Sequence, residues 1–224
     1  MQVVEPFQLV KFKSSVLAQQ CERIGNQILN YQKYIDPIGR VMTNRGGWQS
    51  RFHEICFPFY DEWLKYLKQV LHEFYLEYVA TFYEKRYVEL YRDREFEQKY
   101  NLYMWFNINW PGDYNLEHSH VTTPNANEYN YIPPEMKDDR EFWLPEAFGN
   151  FYITDTDNTF FVTEVPFRIT EEEERTYIDL NAGDFILGNI NINHGVSINK
   201  QEIPRISMAY NIKPMLPEQQ WGHT

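Results

Sequence analysis

Residues 112–121 read GDYNLEHSHV and set two imidazoles, His118 and His120, one residue apart. The residues before them alternate as a β-strand does, and on a strand positions i and i+2 share a face. Glu117, Ser119 and Val121 are then expected to point the other way. Two imidazole nitrogens on one face can bind a single first-row metal ion. The alternative is a hydrogen-bonded polar pair. A metal needs a third ligand, and His194 is the best offer, at the head of HGVSIN (194–199). The preceding NAGDFILGNININ reads as a turn and strand able to return the chain beside His118 and His120. The alternative for His194 is a strand-edge histidine bonded to backbone. The remaining histidines, His53, His72 and His223, follow a glycine turn, ride a long helix and sit in the tail, and carry structural expectations.

Eleven residues after His194 comes Arg205, in PRISMAYNI. Period-two alternation places Arg205, Ser207, Ala209 and Asn211 on one face and Ile206, Met208, Tyr210 and Ile212 on the other. A guanidinium among small and polar side chains calls for an anion, because burying it unpaired is costly. A planar carboxylate suits its fork, and the Ser207 hydroxyl can donate to the same group. With 32 acidic residues in the chain, an internal salt bridge is the alternative. Asn107 and Asn109, in FNIN, share a strand face and can line the same interior; a polar solvent face is the other reading.

The elements that must position these groups fall into two halves. FQLVKFK (7–13) alternates as a strand, and Ser14 and Ser15 are placed to cap a helix over VLAQQCERIGNQILNYQ. TNRGGWQS (43–50) reads as a glycine turn with its tryptophan on the exposed side. Residues 60–85 carry Leu64, Leu67, Leu71, Phe74 and Tyr78 at helical spacing, the stripe of a long amphipathic helix. RYVELYRDREFEQKY (86–100) fits helix or loop. Strand periodicity then takes over, in 102–110, 150–156, 159–169, 176–180, 184–190, 194–199 and 205–212. Helices first and strands later predict an α+β chain of one domain, 1–224, with a mostly helical buttress over 1–100 and a β-roll over 101–215. A long Pro- and Asn-rich insertion at 122–147 reads as a surface insertion or a substrate lid. EEEER (171–175) reads as a solvated turn.

Composition narrows the function classes. Aromatic residues make up 17% of the 224, which suits a globular, β-rich chain. A formal charge of −11 repels phosphate backbones and anionic lipid, so general nucleic-acid or membrane binding is not expected. The two cysteines, Cys21 and Cys56, fit neither a metal spacing nor a disulfide framework. No apolar run nears the roughly 20 residues that span a bilayer. A soluble, cytoplasmic protein is the expectation.

With these pieces in place, the pattern resembles the 2-oxoglutarate/Fe(II)-dependent oxygenase superfamily. More narrowly, it is similar to an oxygenase family common in bacteriophage and marine bacterial genomes. The matching segments are GGWQS, WFNINWPGDYNLEHSH, AGDFILGN, HGVSIN and RISMAYNI, in the family's order from about residue 43 to 212. The resemblance implies a double-stranded β-helix, or jelly roll, with N-terminal helices buttressing it. It implies that His118 and His194 are the two histidine ligands of Fe(II). Arg205, followed by Ser207, takes the place of the residue that holds the far carboxylate of 2-oxoglutarate. His120 stands where most of the superfamily has Asp or Glu, a position where the narrower family often has His. Two segments depart from the family pattern, HV after the histidine pair and GNFYITD after the insertion; both bear on the substrate pocket.

On that resemblance His118, His120 and His194 hold Fe(II), and 2-oxoglutarate chelates it. The C5 carboxylate of 2-oxoglutarate meets Arg205 and Ser207, with Asn109 and a tyrosine, Tyr103 or Tyr152, nearby. Dioxygen is the co-reactant, succinate and CO₂ are products, and the primary substrate is hydroxylated. Three neutral imidazoles leave the ion its full +2 charge, which favours an anionic cosubstrate and admits Zn(II), Ni(II) or Co(II) as alternatives. Asp113 or Glu117 as a carboxylate ligand would have to break the spacing. The competing expectations are a metal-binding β-roll without turnover and a three-histidine cupin-type dioxygenase that needs no Arg205. Trp105, Tyr114, Tyr131 and Trp143 suggest an aromatic mouth suited to peptide, sugar or base, which leaves the substrate itself unread.

Overall fold

The structure is a computed structural model that describes residues 1–51, 55, 57–83, 88, 100–120, 146–157, 159–164 and 171–214. Expectations for His53, Cys56, Tyr131, Trp143 and His223, for most of 86–99 and for nearly all of the 122–147 insertion lie outside these residues. The chain opens with two strands, β1 (Gln2–Val4) and β2 (Leu9–Lys13), of which only β2 shows a clear alternation in sequence. Ser14 then caps a helix, its side chain accepting from Leu17 N–H at 3.3 Å. The single helix expected here is two, α1 (Ser15–Ala18) and α2 (Cys21–Tyr34). Gln20 N–H bonds Leu17 O, three residues back instead of four, so the first turn tightens and ends before α2 begins.

The long helix forms as its spacing predicts: α3 (Tyr60–Phe82) buries Trp63, Leu67, Leu71, Tyr75 and Tyr78 along one face. That face packs on the outer side of a seven-stranded sheet, with Phe74 stacked on Phe12 and Trp63 tilted against Phe106. The sheet runs β1–β2–β10–β7–β12–β5–β4. Its later members are β4 (Trp48–Gln49), β5 (Tyr100–Asn109), β7 (Ala147–Tyr152), β10 (Asp184–Asn189) and β12 (Arg205–Pro214). A five-stranded sheet runs β3–β6–β11–β8–β9. It is built from β3 (Asn44–Arg45), β6 (Tyr114–His118), β8 (Phe160–Thr163), β9 (Thr176–Ile178) and β11 (Asn193–Val196). Every recorded pairing is antiparallel. Helices on the outside and two antiparallel sheets folded into a roll make this an α+β double-stranded β-helix.

The sheet-to-helix core and the roll interior are separate apolar clusters. The first takes Ile206, Met208, Tyr210 and Ile212 from one face of β12; the second holds Leu9, Phe148, Phe160, Val162 and Ile186 between the sheets. The other face of β12 is left for the interior cavity, as the alternation predicts. One expectation is corrected: Trp48 is 3% exposed, not an exposed turn residue. Gly46 and Gly47, both at positive φ, turn the chain sharply from β3 in one sheet to β4 in the other. The indole is thereby swung inward beside Tyr31, and its N–H donates to Asp36 O at 2.8 Å. Glu172–Glu174 form a short, largely exposed 3₁₀ turn. Among the described residues no helix is long and apolar enough to cross a membrane.

Candidate metal centre

His118 ends β6 and His194 lies in β11, and the two are direct cross-strand partners. His120 lies just beyond β6, where its backbone N–H bonds Ile190 O. The three rings converge: centroids are 4.5 Å apart for His118 and His194, 5.0 Å for His120 and His194, and 5.2 Å for His118 and His120. One ring nitrogen from each lies within 4.8 Å of the others.

The second nitrogen of each ring explains why the first is available. His118 Nδ1 faces Leu116 O at 2.8 Å and His194 Nδ1 faces Ile192 O at 3.0 Å. A backbone carbonyl only accepts, so both Nδ1 atoms carry the proton and both Nε2 lone pairs are free. His120 Nδ1 meets Asn211 Oδ1 on β12 at 2.5 Å, which sets the same tautomer. Phe148 stacks on His194 at 4.2 Å and closes the apolar side. Burial pushes all three pKa values down, His120 to about 4, with the neighbouring histidines adding to the effect at His120 and His194. The triad is therefore neutral and donor-ready, the state a divalent cation requires.

A bulge produces this arrangement. Val196 pairs with Asn115 while His194 pairs with His118, so three steps on β6 match two on β11. Asn115 and His118 consequently both line the cavity, and Ser119, expected on the far side, lines it too because pairing has ended. Glu117 does turn away, as alternation predicts. Its carboxylate is nearly covered, accepts from Asn193 Nδ2 and Thr163 Oγ1, and lies 3.9 Å from Arg175. Asp113 is also no ligand: its carboxylate accepts from Trp110 N–H at 2.8 Å.

The cavity beside the triad holds about 320 Å³, at the lower end of the roughly 300–1,000 Å³ of small-molecule pockets. Arg205, Ser207, Tyr152 and Asn109 all line it. Asn109 is opposite Arg205, and Ser207 is opposite Tyr152 on its other side. Tyr103 does not join them: it is 42% exposed, opposite Asn211, and outside the cavity lining. Arg205 is 2% exposed, yet has no carboxylate partner among the described residues. Its guanidinium donates to Thr159 Oγ1 at 2.7 Å and to Ser197 O at 3.3 Å. Burial drags its pKa down to about 10, against the pull of Tyr152 and Asp113. Desolvating such a charge costs several kcal/mol, of which each charge-assisted hydrogen bond returns only about 1.5–3. An anion in the cavity would supply the rest. Tyr152 is buried beside it, its hydroxyl without a hydrogen bond among the described residues and its pKa raised by burial.

Period-two spacing puts His118 with His120 and Arg205 with Ser207, whereas strand pairing between β6 and β11 is what brings His194 to the pair. The alternation also puts Asn211 on the cavity face, while its bond to His120 has no signal in the sequence. Thr159 and Ser197, which hold Arg205 from the other sheet, carried no sequence signal, since their meeting is made by sheet-on-sheet packing.

No protein-family model and no curated protein sequence matches this chain. Its fold does have counterparts among solved structures. A prolyl-4-hydroxylase of Pseudomonas putida aligns over 94% of both chains at 11% identity, TM-score 0.55. The α-ketoglutarate-dependent carbocyclase SnoK of nogalamycin biosynthesis aligns over 92% of this chain and 79% of its own at 9% identity, TM-score 0.54. HygX of Streptomyces hygroscopicus, solved with nickel and 2-oxoglutarate bound, aligns over 93% and 84% at 12% identity, TM-score 0.50. At these identities the likeness is one of architecture: the chain folds as the double-stranded β-helix found in 2-oxoglutarate-dependent oxygenases.

Proposed function

We propose that the protein is a 2-oxoglutarate- and Fe(II)-dependent oxygenase that hydroxylates its primary substrate. The observation that carries this reading is a buried guanidinium, with no carboxylate partner among the described residues, in the same cavity as three converging imidazoles. A metal site alone is shared by many proteins; a cationic clamp beside it asks for a metal-chelating ligand with a second carboxylate, which 2-oxoglutarate is. The three Nε2 atoms would hold the ion, and Fe(II) with 2-oxoglutarate supplies the activation of dioxygen, releasing succinate and CO₂. Arg205 would bind the C5 carboxylate through its fork, Ser207 and the Tyr152 hydroxyl would donate to the same group, and Asn109 would flank it. Phe148 and Phe160, both fully buried against His194, exclude water from that side of the centre. Burial of Arg205 and His194 makes their interactions stronger than they would be in water.

The cupin-type alternative leaves the Arg205 charge unexplained. The turnover-free alternative shares all the geometry and differs in chemistry. Two measurements decide. Calorimetric titration of 2-oxoglutarate into the Fe(II)-loaded, anaerobic protein should show binding that weakens at least about 100-fold in Arg205→Met, the loss of one buried charge-assisted carboxylate pair. Equal affinity in the variant rejects the clamp. Succinate release under air, with Fe(II), 2-oxoglutarate and ascorbate, separates an oxygenase from a silent metal protein.

A further inference from the structure

The register across the large sheet lays polar side chains in one row through the cavity. Ser207 on β12 pairs with Tyr152 on one side and Asn107 on the other, and Asn107 pairs with Gln49 on β4. With Tyr152 and Ser207 assigned to the cosubstrate carboxylate, Asn107 and Gln49 remain at the opposite end. Both are buried, 9% and 4% exposed, and both line the cavity. Neither side chain makes a hydrogen bond among the described residues; Gln49 Oε1 is covered by protein and lacks a partner, so it is the rest of that side chain that meets the cavity. Gln49 is not loosely placed: its backbone carbonyl accepts from Arg40 N–H at 2.8 Å and its strand pairs with β5. A buried carboxamide without a partner costs stability, and a ligand that draws the amide toward the cavity would return it.

The charge of the cavity narrows the ligand. The whole chain is at −11, yet among the described residues no Asp or Glu lines the cavity, whereas Arg40, Arg205 and the three histidines do. An amine entering here would meet no carboxylate among the described lining residues. A carboxamide offers an oxygen acceptor beside an N–H donor, and its complement is a neutral group with the same two functions.

We propose that Gln49 and Asn107 form the primary-substrate subsite, and that they bind a neutral group bearing an N–H or O–H donor beside an oxygen acceptor. An amide and a hydroxyl-bearing ring share this chemistry. The inference rests on the reading in which Arg205, Ser207 and Tyr152 are occupied by 2-oxoglutarate.

The test is saturation-transfer NMR on the protein with Zn(II) and 2-oxoglutarate added. Its neutral probes are N-acetylglycinamide, thymine and methyl α-glucoside, and 1,4-diaminobutane is the cationic control. At least one neutral probe should receive saturation, at least about five-fold less in Gln49→Met and in Asn107→Leu, and the diamine none. The responding probe distinguishes an amide from a hydroxyl source. No response from any neutral probe, an equal response in the variants, or a response from the diamine overturns the proposal. Melting of Gln49→Met guards against a folding artefact. Removing a partnerless buried amide should raise Tm by about 2–4 °C, whereas a fall would make Gln49 a structural residue and also overturn the proposal. The 2-oxoglutarate signal is read in the same samples. Its absence while a neutral probe binds sinks the cosubstrate reading alone; its presence with silent neutral probes sinks the subsite alone.

Discussion

At the residue scale, each imidazole of the triad is held by its Nδ1, but the three holders differ in kind. For His118 and His194 the partner is a main-chain carbonyl that no substitution removes; for His120 it is the side chain of Asn211. Outer partners of this sort are worth about 10–100-fold in metal affinity. Asn211→Leu should therefore weaken metal binding by about that factor, read by competition with a chelator of known affinity, and Asn211→Asp should restore much of it. Equal affinity in Asn211→Leu would mean that packing alone orients His120. A pH effect follows from the same burial. The folded imidazoles have lowered pKa values, His120 to about 4, while unfolded histidines titrate near 6.5. Between those values the unfolded chain binds protons the folded chain refuses, so this contribution to stability is complete above about pH 6.5 and is lost as pH falls toward 4. The metal-free protein should melt at a lower temperature at pH 5 than at pH 7.5; added Zn(II) should raise Tm at both values without narrowing the gap, because a bound ion keeps the folded imidazoles unprotonated while the unfolded ones still titrate.

At the element scale, the site depends on how closely β6 and β11 approach. Gly195, next to His194, sits close to both neighbouring strands, β6 and β8. A Cβ there would meet the Phe161 ring at 2.6 Å and the Glu117 backbone at 3.2 Å. Gly195→Ala must push β11 away from β6 or β8, at a cost of about 1–3 kcal/mol for overpacking. Since His194 moves with that strand, metal affinity should fall along with Tm; a variant destabilised but binding metal normally would separate the strand gap from the ligand position. On the reverse face, Glu117 ties Asn193 and Thr163 together and so joins β6, β11 and β8 behind the histidines. Alternation in the sequence revealed which way Glu117 points. It did not reveal the bulge, because an extra residue in one strand is visible only against its partner's register.

At the scale of the whole molecule, the proposed ligands bridge the roll. His118 and His194 come from the small sheet, Arg205 and Ser207 from the large one, and His120 is tied to the large sheet through Asn211. Ligands that bind only this folded arrangement stabilise it by mass action, about 2.7 kcal/mol at a concentration 100 times Kd. Metal and 2-oxoglutarate together should raise Tm more than metal alone, and the cosubstrate increment should vanish in Arg205→Met; a persistent increment would place the carboxylate elsewhere. The sequence by itself determined what local periodicity can carry: helices early and strands later, the two faces of β12, and the pairs His118 with His120 and Arg205 with Ser207 that alternation puts on one face. These follow from side-chain period and type, which need no partner. Tertiary structure alone decided that Trp48 turns inward, that Tyr152 and not Tyr103 reaches the cavity, that Thr159 and Ser197 steady Arg205, and that Gln49 faces the interior unsatisfied. Each of those is a relation between segments far apart in the chain, set by strand register and sheet packing, and no local pattern encodes it.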